Sequence, residues 1–160
     1  MSSFLTPSAS ENALDPGMLF QCLIQKRMGA AAILAKSFET SLRPDVLFNI
    51  GLVHAAAGDA ARALEFFDRA LAEIRKSTPT AMSLPRPANY QTLRKSDMDG
   101  DTLLKPIDAP YIAAFPALAR EDMMAAAAMV AHRAGLADRA NGYAAGLSGA
   151  EFDTFKNGLK

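Results

Sequence analysis

With 160 residues the chain has the length of one domain, enough to bury about two-thirds of its unfolded surface without metal or disulfide staples. Lysine plus arginine number 17, as do aspartate plus glutamate, so the formal net charge is zero. The phosphate-neutralising excess that nucleic-acid binding needs is therefore missing. Half of the residues are hydrophobic, many of them alanine, and there is no tryptophan. Such a composition favours helix, because alanine, leucine, methionine and arginine lose little side-chain entropy there. The one cysteine, Cys22, has no internal disulfide partner, which fits a reducing compartment.

The opening MSSFLTPSASENAL is serine-rich and reads as a loose arm over residues 1–14. It lacks the basic and apolar regions of a secretory signal, and no window approaches ~20 uninterrupted apolar residues. A cytoplasmic protein without a membrane span is expected. The next stretch, residues 15–43, becomes legible only beside the one that follows it.

In that following stretch, residues 44–76, Val46, Leu47, Ile50, Val53 and Ala57 recur at helical spacing. Pro44 suits the first turn of a helix, where its missing N–H costs nothing. Gly58 supplies a helix-ending residue, and Asp59 can accept the free N–H groups of the next helix. That helix carries Ala63, Leu64, Phe67, Ala70, Leu71 and Ile74 on one face. Two helices joined by Gly58-Asp59 must be antiparallel neighbours, with Gly51, Ala63 and Ala70 letting the backbones approach.

The run Leu47-x-x-Ile50-Gly51-x-x-His54, then Ala63-x-x-x-Phe67 and Ala70, resembles the tetratricopeptide repeat, a helix–turn–helix of ~34 residues. Leu47 stands where tryptophan is usual, His54 where tyrosine is, and the closing proline comes late, at Pro79. One repeat cannot bury its own apolar faces, so companions are required. Alignment on the turn glycine gives two. The first is Asp15 to Leu42, with Gly29 as the turn, Cys22 at the small position and Phe38 matching Phe67. The other is Glu121 to Leu147, within residues 116–147, with Gly135 as the turn, Ala128 at the small position and Ala140 matching Ala63.

Residues 77–115 interrupt the array. Their prolines at 79, 85, 87, 106 and 110 exclude long helices. Tyr90–Arg94 and Thr102–Lys105 flank DMDGD and fit a β-hairpin about an Asp99-Gly100 turn. Asp97, Asp99, Asp101 and Asp108 fall at calcium-loop positions one, three, five and twelve. The sixth position is Thr102 rather than glycine, and Pro106 intrudes. After Leu147, Ser148-Gly149-Ala150-Glu151 has the form of a capping box, and Phe152, Phe155 and Leu159 share one face of a terminal helix over 148–160.

The expected architecture is thus all-α, a right-handed array of three antiparallel helix pairs with a proline-rich insertion and a C-terminal capping helix. The resemblance implies that the first helix of each pair lines a concave groove. Its floor and rim are then Leu19, Phe20, Leu23, Lys26 and Arg27 from the first pair, Asp45, Phe48, Asn49 and Leu52 from the second, and Met129, His132 and Arg133 from the third. Such a surface suits an extended or helical peptide with apolar anchors. Two states of the groove fit the sequence: open, or filled by the insertion through Tyr90, Leu93 and Tyr111.

The carboxylate clamp of heat-shock-binding repeats is absent, because only Asn49 matches and Leu19, Leu23, Asp122 and Ala126 take the other places. Two histidines and one cysteine give no metal-ligand spacing, and no nucleophile elbow or phosphate loop is present. The expected function is a non-catalytic adaptor or chaperone for a protein or peptide, with no cofactor, metal, nucleic acid or membrane as partner. The alternative is a calcium-responsive regulatory module built on the Asp97–Asp101 turn.

Overall fold

The computed structural model describes residues 14–77, 85–99 and 103–160. Their regular structure is entirely helical. Two helices, α1 (Gly17–Ile24) and α2 (Met28–Ser37), form the first pair, and α3 (Pro44–Ala56) and α4 (Ala60–Ser77) the second. Short helices α5 (Tyr90–Asp97) and α6 (Ala109–Ala114) follow. The third pair is α7 (Pro116–Arg133) and α8 (Ala137–Ala144), and a 3-10 turn at Ala150–Phe152 leads into α9 (Asp153–Gly158). Each pair packs internally, α1 and α2 both meet α3, and α4 packs directly on α7. Among the described residues no helix is long and apolar enough to cross a membrane. The arm expected at 1–14 lies, up to residue 13, outside the described residues.

The three pairs turn in the same way. After α3 the Gly58 N–H donates to the Ala55 carbonyl at 3.1 Å and the Asp59 N–H to His54 at 2.9 Å. After α7 the Gly135 N–H meets His132 at 3.0 Å and the Leu136 N–H meets Ala131 at 2.9 Å. After α1 the same two bonds run from Lys26 to Leu23 and from Arg27 to Cys22, at 3.1 and 2.8 Å. This is the Schellman arrangement, which satisfies two orphan carbonyls by placing one residue in the left-handed region. Gly58 and Gly135 adopt it at φ 82° and 77°.

In the first pair the left-handed residue is Lys26, at φ 57°, and not Gly29, which lies inside α2. The alignment on Gly29 is therefore three residues out of register. Superposing the turns of the first two pairs puts Leu19 at the place of Gly51, Ala31 at that of Ala63, and Ala35 at that of Phe67. The second pair joins the smallest residue to a large ring, whereas the first joins leucine to alanine. All of these side chains are buried. Leucine with alanine and glycine with phenylalanine have similar summed volumes, so close packing can be met with either division between the two helices.

The expected β-hairpin is not formed, since Tyr90–Asp97 is helix and no strand occurs among the described residues. Tyr90, Arg94 and Met98 recur every four residues and are half-buried, buried and buried. That stripe is a helical period, and it outweighs the β-forming residues Tyr90 and Thr92. The Asp99-Gly100 turn and Asp101 fall partly or wholly outside the described residues.

The capping box is also unrealised. Ser148 precedes a bend at Gly149, no side chain caps the 3-10 turn, and α9 starts only at Asp153. Its lead-in turn packs on α5. The outer face of α8 needs little covering, because Asp138, Arg139 and Asn141 are exposed there.

Candidate partner-binding groove

Nothing on the first helix of the second pair is open to solvent between Asp45 and Val53, all of which are buried. A helix lining an empty groove would leave one face wet, so something covers α3. Helices α1, α2 and α4 take part of it, and on the side of Asn49 the cover is the insertion. The Asn49 side chain, 2 % exposed, donates from Nδ2 to the Ile107 carbonyl at 2.8 Å and accepts the Ile107 N–H at Oδ1, 2.9 Å. One amide thus satisfies both main-chain polar groups of a residue in a segment that is neither helix nor strand. Leu103 and Ile107 from that segment are buried in the common core.

A second anchorage lies on α7. Asp122 occupies the place in α7 that Asp45 takes in α3, counting from the shared turns. Its Oδ2 accepts the Tyr111 hydroxyl at 2.6 Å and its Oδ1 pairs with the Arg94 guanidinium at 2.8 Å. Arg94, 2 % exposed, also pairs with Asp97 at 2.9 Å and Glu121 at 3.2 Å, and donates to the Leu118 carbonyl at 3.1 Å. Its Cζ lies 5.8 Å from the centroid of the Phe152 ring. The first helices of the second and third pairs therefore both hold the insertion, α3 through Asn49 and α7 through Asp122 and Glu121.

The charges in this network are shifted by burial. Desolvation raises the Asp122 and Glu121 carboxyls above the usual carboxylate range, and Arg94 only partly offsets it. For Arg94 burial acts to lower the value, but Asp122, Asp97 and Glu121 outweigh it and hold the guanidinium firmly charged. The Tyr111 phenol is held well above its ordinary value by burial and by donating to Asp122.

The other groove candidates take several positions. Phe48 is fully buried and stacks on Phe67 with ring centroids 5.0 Å apart, so it belongs to the α3–α4 seam. Asp45 is held by Arg43 at 2.7 Å, and Leu19, Leu23 and Leu52 are core. Phe20 is half-buried and lines a cleft of about 420 Å³ with Leu103, Lys105, Ile107, Tyr111, Phe115 and Asp122. Met129, His132 and Arg133 line a separate cleft of about 580 Å³, walled by Lys95 and Met98 of the insertion and by Phe155 and Leu159. Lys26 and Arg27 are exposed in the first turn. His54 stacks on Phe66 at 5.4 Å, on the side of α3 that meets α4.

Of the residues expected to fill the groove, Tyr111 does reach α7, but Leu93 is 55 % exposed. The insertion residues that are buried instead include Arg94, Leu103 and Ile107. Arg94 was open to recognition as one end of the Arg94–Met98 pair at helical spacing, whereas Ile107 sits beside Pro106 in a segment with no periodicity. Two members of the calcium pattern are engaged elsewhere, Asp97 with Arg94 and Asp108 with the Tyr111 N–H, and Asp101 lies outside the described residues. No grouping of three His, Cys, Asp or Glu side chains able to hold a metal occurs among the described residues. No family model matches this chain, and no match was found among curated proteins or among solved structures.

Proposed function

We propose that the chain is a non-catalytic interaction module of the tetratricopeptide type, a right-handed array that takes an extended protein or peptide segment along the inner helices of its pairs. The observation that carries this reading is the grip of Asn49 on Ile107. A side chain on α3 binds an irregular segment through its main-chain N–H and C=O, the mode in which a groove reads a peptide with little regard for its side chains. The three identically closed helix pairs support the same reading, since stacked hairpins build a continuous concave surface. The clefts at Phe20 and at His132, each walled in part by the insertion, offer room along its flanks.

Site-specific photo-cross-linking in cells tests the proposal. A photoreactive residue placed at Lys105, Phe115 or His132, along the two clefts, is expected to capture the same partner. The same group at Lys36, exposed on α2, should capture none. Equal capture at all four positions, or none at the cleft positions, would remove the groove as the interaction surface. Heat on calcium titration of the unmodified chain would instead favour the regulatory alternative.

A further inference from the structure

The segment in the groove is a sample of what the groove binds. We infer that the partner presents an extended stretch with the chemistry of Leu103–Asp108, and that it binds by displacing that stretch from α3. The inference rests on the interaction reading above and goes further by naming the peptide pattern and the resident competitor. The pattern is an aliphatic residue, a basic residue and a proline two and three positions on, and a second aliphatic residue at the fourth, whose main chain meets Asn49. Leu103 and Ile107 supply the buried aliphatic anchors. Lys105 stands exposed at the rim of a cleft whose carboxylates are Asp97, Asp108 and Asp122, so a cation is favoured at that position. Pro106 keeps the backbone out of helix, and its lack of an N–H leaves no donor stranded beside the clamp.

Three features make exchange feasible. Residues 103–108 belong to no helix, so leaving the groove melts none, and the regular structure at stake is the short α6, whose first turn Asp108 caps by accepting the Tyr111 N–H. The Asn49 clamp recognises groups that every non-proline residue carries. The cleft of about 420 Å³ beside Ile107 leaves the segment unpacked on one flank, where an incoming chain can begin to pair. The tether decides the outcome. A segment joined by a short linker competes at an effective concentration on the order of millimolar. A free peptide of equal intrinsic affinity should then show almost no binding to the native chain at micromolar concentrations.

The test uses the full chain and a fluorescein-labelled peptide, Leu-Leu-Lys-Pro-Ile-Asp-Ala-Pro-Tyr-Ile, read by fluorescence anisotropy. The double variant Leu103→Ala with Ile107→Ala weakens the resident segment, and it should bind the peptide at least about tenfold more tightly than the native chain does. Methylation of the peptide nitrogen that stands for the Ile107 N–H should weaken that binding at least about tenfold, because Asn49 loses its donor while the protein is untouched. A folded double variant that ignores the peptide, or one that binds the methylated form equally well, overturns the inference. Should the double variant not fold, Ile107→Ala alone replaces it under the same criteria. Unfolding of that variant too would show the segment to be fixed core and would equally overturn displacement. Partner cross-linking at Lys105 or His132 alongside a failed peptide test would leave the interaction reading standing and remove only this site.

Discussion

Gly51 lies directly beneath the Phe67 ring. A Cβ at position 51 would sit 2.5 Å from Phe67 Cδ1 and 3.1 Å from the Ala63 carbonyl oxygen. Neither neighbour can yield, since Phe67 is fully buried and stacked on Phe48, and the other is backbone. Gly51→Leu should therefore lower stability by about 3 kcal/mol, the upper range for overpacking, and calorimetry should record a large drop in Tm. The first pair shows the remedy, because there leucine and alanine hold the equivalent places. Gly51→Leu combined with Phe67→Ala should recover more than half of the loss. A double variant as unstable as the sum of the two single changes would refute the exchange of volume between pairs.

Asn49→Ala strands the Ile107 N–H and C=O in the core. The expected cost is about 2–4 kcal/mol, on the scale of two unsatisfied buried groups. Native-state hydrogen exchange should show it locally, with the Ile107 amide losing protection and amides of α4 keeping theirs. Unchanged protection at Ile107 would mean that the segment is held by its aliphatic anchors alone.

Arg94→Met removes the cation that three carboxylates share. Because Glu121 and Asp122 remain about a fifth exposed, the loss should be about 3 kcal/mol, the low end for breaking a buried ion pair. The pH dependence has a definite sign. Both carboxyls are already raised, and losing Arg94 raises them further. A raised native carboxyl gives stability below the ordinary carboxylate value that is lost as pH rises through the shifted one. The deficit of the variant should hence be smallest near pH ~4 and grow toward neutrality. Urea unfolding at several pH values measures it, and a deficit that grew toward acid instead would contradict the assignment.

The tyrosines offer a test in the native chain. The sequence holds three, and all are shifted upward: Tyr90 by burial and then Glu121, Tyr111 by burial and then Asp122, and Tyr143 by burial and then Asp68, which pushes it up to about 12. Asp68 accepts the Tyr143 hydroxyl at 2.5 Å. Native phenols keep their protons where unfolded ones release them, so this contribution is complete below pH 10 and is lost as pH climbs past it. Phenolate absorbance at pH 10 should be far below half of its maximum in folded protein and near half in urea. Matching titration curves in the two states would disprove the burial of these hydroxyls.

What could be read in advance depended on how local its cause was. The second pair was legible because Pro44, Gly58 and Asp59 each act within one turn: the Asp59 carboxylate does accept the Arg62 N–H at 3.1 Å. Gly135 marked the third turn for the same reason. In the first pair Lys26 takes a conformation that glycine usually signals, and Gly29 drew the register aside by three residues. The groove residues were harder. Phe48 and Asn49 are adjacent, yet the helix turns one toward Phe67 and the other toward Ile107. Only the partner at long range decides which of them is a seam and which is a clamp.

The sequence separation of 58 between Asn49 and Ile107 orders events in time. Hairpins such as α3–α4 close over a three-residue turn and can form within their own stretch of chain, whereas the clamp needs a long loop to close first. The segment is therefore expected to dock on a surface that already exists, after the rate-limiting step of folding. Ile107→Val should then quicken unfolding and leave the refolding rate nearly unchanged. The same order applies in reverse in the native state: the contact made last is the first to open, and the inner face of α3 becomes accessible in excursions far shallower than global unfolding.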